Sequence, residues 1–164
     1  MQNDPTPPRF YEPGQYRPDD SIGYLMKKVI SSILARADSR LSCCDLTYAQ
    51  WLPLYKLVMK EGQTMAGVAR DLEMDPGAVT RALDRLEAKG LVRRERSTED
   101  RRVVNLVLTD EGQAVAAQVP AVLAEVLNGH LAGFTEAEWR QLLNFLQRML
   151  ANGEAMRAVQ NTKE

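Results

Sequence analysis

Histidine and cysteine, which bind zinc and form disulfides, are nearly absent from this sequence. The only two cysteines, Cys43 and Cys44, are adjacent, and His130 is the single histidine among 164 residues. Adjacent cysteines suit neither a disulfide framework nor a four-ligand zinc site, because both need cysteines or other ligands that are separated along the chain. The sequence therefore predicts no metal site and no cofactor.

Motifs for catalysis are also missing. The chain has no glycine-rich loop that could cradle a phosphate, no paired-carboxylate signature and no nucleophile motif. With one histidine it has little that could transfer a proton near neutral pH. We therefore predict that the protein is not an enzyme.

Long apolar runs are absent as well. No segment approaches the roughly 18 uninterrupted apolar residues of a membrane-spanning helix, and the first 18 residues lack an apolar signal-peptide core. We expect a cytoplasmic protein without a membrane partner. A net charge of −1 argues against a protein that coats nucleic acid indiscriminately, while 45% apolar and 26% charged residues are typical of a globular chain.

Positive charge is concentrated in one stretch of the chain. From Arg81 to Arg102 there are eight basic residues and five acidic ones, a local net charge of +3. From Thr109 to the end there are four basic and seven acidic residues, a net charge of −3. This polarisation is expected if one part of the chain contacts DNA phosphates and another does not.

The basic stretch has the pattern of a helix followed by a hairpin. Asp75 suits a helix N-cap and Gly90 a helix end. Two strand patterns follow, Leu91-Val92 and 103–108, separated by an arginine-rich turn. A shorter helix pattern precedes Asp75, so the whole predicts a winged helix-turn-helix lobe, which we place at residues 46–108. We hypothesise that its basic tip meets DNA.

Apolar helix patterns flank this lobe on both sides. Residues 21–45 and 109–155 carry more apolar surface than one small lobe can cover, so we assign them to a helical dimerisation region. The predicted fold class is mainly α with a small β-hairpin. Residues 1–20 contain five of the eight prolines and are predicted to be an extended N-terminal arm. Residues 156–164 are assigned to a C-terminal tail.

Three segments, of which the last two overlap, carry a family resemblance: LTYAQW at 46–51, VARDLEMDPGAVTRALDRLEAKGLVRRERSTEDRR at 68–102, and DRRVVNLVLTDEG at 100–112. Their helix-end glycine, Asp-Arg-Arg wing signature and LT-x-x-G entry to the next helix resemble the MarR family, the multiple antibiotic resistance regulators. The resemblance extends over residues 21–150. It implies a homodimeric, sequence-specific transcription regulator, more often a repressor, whose first and last two predicted helices interlock.

By that resemblance the second helix of the motif enters the major groove, and the wing reaches the adjacent minor groove. A two-fold dimer then requires a pseudo-palindromic operator on double-stranded DNA, with half-sites about 10 bp apart. Asp100 is expected to orient an arginine of the wing. Arg85 could instead pair with neighbouring helix acids, and the strand arginines with wing acids. The predicted DNA contacts are Pro76, Gly77, Ala78, Thr80, Arg81, Arg85, Arg94, Arg96, Arg101 and Arg102.

The family often binds small aromatic acids between its dimer helices and its winged lobe. Flat apolar walls and a cationic anchor for such a carboxylate are present in Tyr24, Lys28, Tyr48, Trp51 and Tyr55. For Trp51 and Tyr55 the alternative is ordinary core packing. Two other functions stay open: a redox-responsive regulator that uses Cys43 and Cys44, and a winged-helix module that binds protein instead of DNA.

Overall fold

The computed structural model describes residues 9–42, 46–60, 63–98, 100 and 102–161. The described residues form seven α-helices and one antiparallel hairpin, which confirms the predicted fold class. None of the helices in these ranges combines the length and the apolar character that crossing a membrane requires. In chain order the elements are α1 (Ile22–Leu41), α2 (Tyr48–Met59), α3 (Met65–Asp71), α4 (Pro76–Ala88), β1 (Val92–Arg96), β2 (Val104–Leu108), α5 (Asp110–Ala116), α6 (Val119–His130) and α7 (Glu136–Asn161).

The chain divides into two compact units, residues 1–126 and 127–164. The first unit has one apolar core, to which every helix from α1 to α6 and both strands contribute. Burial of aliphatic side chains is the main favourable term in holding such a unit together. Its largest fully buried side chains are Leu41, Leu54, Leu57, Leu83, Leu86, Leu106, Val68, Val79, Val92, Val119 and Pro53.

The ends of α4 are set by the residues that the sequence marked. The Asp75 carboxylate accepts a hydrogen bond from the Ala78 amide at 2.8 Å, which satisfies one of the free donors of the first turn. Gly90, with φ +70°, ends the helix in the left-handed region that glycine adopts without strain. The Leu91 amide then donates to the Leu86 carbonyl at 3.0 Å, so the chain turns directly from α4 into β1.

The turn between α3 and α4 is closed in the same way, but without a glycine. Glu73 has φ +50°, and the Met74 amide donates to the Ala69 carbonyl at 3.1 Å. This is the hydrogen-bond pattern of a helix that ends in a left-handed residue. Asp75 follows two residues later, so α3 and α4 form the two helices of a helix-turn-helix, as predicted.

The wing is the hairpin of β1 and β2. Val92 pairs with Leu108 at its base, Arg94 with Leu106 in the middle and Arg96 with Val104 at the outer end. On its other side, β2 is joined by the segment before α3, because the Leu106 amide donates to the Gln63 carbonyl at 2.8 Å. The wing is therefore attached to the lobe along the inner half of β2.

One sequence prediction about a helix boundary was wrong. The apolar stripe after the wing predicts one long helix with a bend at Pro120, but α5 ends at Ala116 and α6 begins at Val119. Proline at the second position of a helix has no N–H to donate to the preceding turn, so a new helix starts there. For α2 the sequence predicts either a kink or a late start at Pro53. The helix begins at Tyr48 with Pro53 inside it, so of these two alternatives the late start is wrong.

Helical and turn conformations also extend into both predicted end segments. In the N-terminal arm, Pro18–Asp20 form a 3₁₀ turn, and the Tyr11 hydroxyl accepts a hydrogen bond from the Ile22 amide at 3.0 Å. At the other end α7 continues to Asn161, inside the stretch that the sequence assigned to a tail.

The second unit contains α7, which starts with a capping box. The Glu138 carboxylate accepts hydrogen bonds from the amide and the hydroxyl of Thr135, both at 2.8 Å. These bonds favour the charged carboxylate and hold the pKa of Glu138 below its usual range. The apolar stripe of α7 is exposed from Trp139 to Leu150.

Candidate nucleic-acid interface

The outer face of α4 presents cations near the start of the helix. Pro76, Gly77, Arg81 and Arg85 are exposed, whereas Ala78 and Thr80 are half-buried. Thr80 donates its hydroxyl to the Pro76 carbonyl at 2.8 Å, within the helix. Because a helical side chain leans toward the N-terminus, Arg81 lies over the preceding turn, and a Cβ at Gly77 would lie 3.3 Å from Arg81 Nη1.

Neither arginine of this face forms an ion pair with a described residue. The alternative considered for Arg85 was pairing with Asp84 or Glu87. Both acids are instead bonded to Arg94. Arg81 and Arg85 therefore keep their donors available to an anionic ligand.

The tip of the wing is a tight turn braced by Asp100. Its carboxylate accepts a hydrogen bond from the Arg102 amide at 2.9 Å, and its carbonyl accepts one from the Val103 amide at 2.9 Å. Asp100 thus supports the backbone that carries Arg102. Asp100 was expected to orient an arginine of the wing. One candidate for that arginine, Arg101, lies outside the described residues. Arg96 and Arg102 are both exposed.

The two remaining arginines of β1 form ion pairs with acidic side chains. Arg93 pairs with Glu95 of its own strand at 2.7 Å, as the sequence alternative for strand arginines predicted. Arg94 pairs with Asp84 at 2.5 Å and with Glu87 at 2.7 Å, both on α4. The hydrogen bond to Asp84 and the charges of both acids raise the pKa of Arg94 above its ordinary value. Arg94 was predicted to contact DNA, and its donors face the protein instead.

The LT-x-x-G motif connects the wing to α5. The Thr109 hydroxyl donates to the Gly90 carbonyl at 2.7 Å and accepts from the Gly112 amide at 2.9 Å. The Thr109 amide donates to the Leu91 carbonyl at 3.1 Å. Thr109 therefore ties the end of β2 to the turn where β1 begins, and at the same time caps α5. The sequence marked this motif only through a resemblance, and the contacts give its physical reason.

The five residues of the predicted effector site form two separate pairs and one further side chain. The Lys28 ammonium lies 5.5 Å from the ring centroid of Tyr24 on α1. On α2 the rings of Tyr48 and Trp51 meet edge to face at 5.3 Å, and Tyr55 is half-buried. Trp51 is 3% exposed, and its indole N–H donates to Asp38 at 3.1 Å, which is the core packing considered as the alternative.

A cavity that the sequence did not reveal lies between α2, β2 and α5. Its volume is about 440 Å³. None of its lining residues in the described ranges is charged, so these residues do not supply the cationic anchor expected for a carboxylate. Sequence patterns cannot find such a cavity, because its walls come from three separate segments. The lining residues are Leu57, Val58, Leu106, Val107, Leu108, Gln113 and Ala117.

Ligands for a metal ion are not clustered in the described ranges, where no group of three His, Cys, Asp or Glu side chains converges. Cys43 and Cys44 lie outside these ranges. The redox alternative consequently has no structural observation in its favour.

Comparison with known proteins agrees with this geometry. The MarR family profile matches residues 46–104. The chain is 34% identical over 134 residues to the transcriptional repressor MdtR of Bacillus subtilis, an alignment that covers 82% of this chain and 84% of MdtR. It is 38% identical over 105 residues to the transcriptional regulator TtmR of Methylorubrum extorquens, covering 64% of this chain but only 53% of TtmR.

Among solved structures, the fold is similar to that of Staphylococcus aureus MepR in complex with DNA. The TM-score is 0.74 at 25% identity, and the match covers 80% of this chain and 98% of MepR. A relative more than 30% identical is matched over most of its length, and the winged lobe coincides with the family profile. The chain therefore belongs to the MarR family of winged helix-turn-helix transcriptional regulators.

Proposed function

We propose that the protein is a homodimeric repressor that binds a pseudo-palindromic operator through two winged lobes. The observation that carries this proposal is the set of exposed arginines without ion pairs in the described structure, two on α4 and two on the wing. Exposed guanidinium groups on a helix and on an adjacent hairpin suit two neighbouring DNA grooves. The repressor name of MdtR and the DNA in the MepR structure support it.

The two parts of the lobe have different tasks in this proposal. Arg81 reads base edges in the major groove, where an arginine can bond both guanine O6 and N7. Arg85 neutralises phosphates beside it, and Pro76, Gly77, Ala78 and Thr80 allow the helix to approach closely. Arg102, with Arg96 and Arg101, follows the minor groove, where arginine responds mainly to groove width.

Dimerisation is supported by apolar surface that the single chain leaves uncovered. On α1, Leu25 and Val29 are about half exposed, and α7 exposes a longer stripe of large apolar side chains. Monomeric proteins rarely expose continuous apolar patches of this kind. A second copy of the chain would bury them. The exposed α7 residues are Trp139, Leu142, Leu143, Phe145, Leu146, Met149 and Leu150.

Footprinting on the DNA that flanks the gene tests this function. We expect protection of two half-sites about one helical turn apart, and a dimer by analytical ultracentrifugation at the protein concentrations used. Binding should weaken steeply with salt, because each neutralised phosphate releases counterions. A protein that binds no duplex even at low salt would support the protein-interaction alternative.

We also propose a small aromatic carboxylate as the effector, with Lys28 as its anchor. The Tyr24–Lys28 pair on α1 supplies a cation beside an aromatic face. We assign Trp51 to the core in this proposal, because its side chain is buried. No hydrogen bond or ring contact in the described structure joins this pair to Tyr48 and Tyr55, so a ligand would have to bring the two groups together. Such a ligand releases DNA only as far as it prefers the state that cannot bind the operator.

Thermal-shift assays with salicylate and related aromatic acids test this proposal. At a concentration of about 100 times the dissociation constant, a ligand should stabilise the protein by roughly 2.7 kcal/mol, which a thermal-shift assay detects. We expect Lys28→Ala to lose this shift, whereas Lys27→Ala, one residue away, should keep it. Equal shifts in both variants would remove Lys28 from the site.

A further inference from the structure

The guanidinium of Arg94, in the middle of β1, makes three contacts outside the wing. Nη1 donates to Glu87 at 2.7 Å, and Nη2 donates to Asp84 at 2.5 Å. Nη2 also donates to the sulfur of Met65 at 3.6 Å. Asp84 and Glu87 lie on α4, and Met65 is the first residue of α3. One side chain of the wing is thus bonded to both helices of the helix-turn-helix.

We propose that Arg94 is a positioning residue, which holds the wing at a set orientation to α4 so that both reach the operator together. This inference rests on the proposed DNA-binding function and deepens it. In this proposal Arg94 does not contact DNA, because Nη1 and Nη2 are each bonded to a carboxylate of α4. Turning both of these nitrogens to a phosphate would require both ion pairs to break.

The partners are spaced for this role. Asp84 and Glu87 are three residues apart and share one face of α4, so the two ends of the guanidinium reach one acid each. The side chain of Arg94 is 30% exposed, and those of Asp84 and Glu87 are 53% and 38% exposed. Water screens such exposed ion pairs, so they contribute little to the stability of the fold. In this proposal their role is to hold the wing in a set orientation to α4.

The wing needs such a link because a two-stranded hairpin is marginally stable on its own. It is anchored by two buried residues, Val92 at its base and Leu106 in its middle. Arg94 pairs with Leu106 and is the next residue of β1 on the same face as Val92. Arg96, the following residue on that face, is exposed. Among the described residues of β1, Arg94 is therefore the last one tied to the helices before the tip that carries Arg102.

The charges of Asp84 and Glu87 allow a test that separates positioning by Arg94 from a simple effect of charge. The two explanations predict opposite changes in operator affinity. Replacing Asp84 and Glu87 by Asn and Gln removes two negative charges from the face beside the DNA. If charge alone mattered, the operator would bind more tightly. If Arg94 positions the wing, the operator binds more weakly, although the protein has become more basic.

The experiment compares the full-length wild type with the double variant Asp84→Asn/Glu87→Gln by fluorescence anisotropy. The probes are the footprinted operator and a duplex of unrelated sequence. We expect the variant to lose roughly tenfold in operator affinity, with equal or tighter binding to the unrelated duplex. Arg94→Met should show the same operator loss. Arg93→Met, which removes only a pair within β1, should bind like the wild type.

A second readout separates positioning from a loss of folded protein. Arg102→Ala should weaken operator binding strongly in the wild type and by less than about twofold in the double variant, because a misplaced wing no longer uses Arg102. Simple destabilisation would leave the effect of Arg102→Ala unchanged. Thermal melting of each variant sets a measuring temperature at which all are folded.

The possible failures are distinguishable. A wild type that binds no duplex overturns the proposed function and this inference with it. A wild type that binds its operator, with a double variant that binds it equally well or more tightly, overturns the role of Arg94 alone. The role of Arg94 is also overturned if Arg102→Ala weakens operator binding equally in the wild type and in the double variant.

Discussion

Replacing Gly112 with alanine is expected to destabilise the protein by ~3 kcal/mol, the upper end of the usual cost of overpacking. A Cβ at this position would lie 1.9 Å from the Leu91 carbonyl oxygen and 2.9 Å from its carbon. These are backbone atoms at the junction that Thr109 closes, so they cannot rotate away as a flexible side chain could. The melting temperature should fall by roughly 10 °C, measured by circular dichroism.

Gly23→Ala is the matched control. Gly23 also lies in the first turn of a helix in the same unit, but a Cβ there would meet nothing within 4 Å. Its melting temperature should stay the same or rise slightly, because alanine has less freedom to lose on folding. If Gly112→Ala melted at the same temperature as Gly23→Ala, the close approach of α5 to Leu91 would be contradicted.

Arg81→Ala is expected to weaken operator binding by about 1–3 kcal/mol, the value of one bidentate contact to guanine. The loss should be confined to the native operator, and discrimination at one base pair of each half-site should relax. Anisotropy titrations against a set of single-base operator variants measure both effects. Arg102→Ala should differ, with a similar loss on every operator, because a minor-groove arginine responds to shape.

Arg140→Ala provides the control for charge. Arg140 lies on α7, where it pairs with Glu136 at 2.6 Å, and its removal lowers the net charge by the same amount. Operator affinity should be unchanged. An Arg81→Ala variant that binds as the control does would exclude Arg81 from the groove.

The sequence was most informative where one residue determines a local backbone conformation. Asp75 and Gly90 mark the two ends of α4. The capping pairs Thr47–Gln50 and Thr135–Glu138 mark the starts of α2 and α7, because these signals act within four residues. Boundaries were missed where two local signals compete. A continuous apolar stripe through Pro120 predicted one bent helix, and the missing proline N–H produced two.

The candidate interface was foreseen in part. The arginines of the helix and of the wing tip followed from position and charge. The exposure of Arg81, Arg85, Arg96 and Arg102 agrees with that prediction. The different environment of Arg94 did not follow, because its partners are separated from it by seven and ten residues and by a turn. The separation of the predicted effector residues into two groups, and the cavity beside β2, also depend on contacts between distant segments.

The sequence alone determined the family, the order of helices and hairpin, and the stretch that carries the positive charge. These depend on residue type and short spacing, which the chain expresses before it folds. Only the tertiary structure decided which arginines are free. Every arginine of the stretch carries the same charge, but the packing of β1 against α4 brings two carboxylates to the guanidinium of Arg94. No described acid forms an ion pair with the side chain of Arg81 or Arg102.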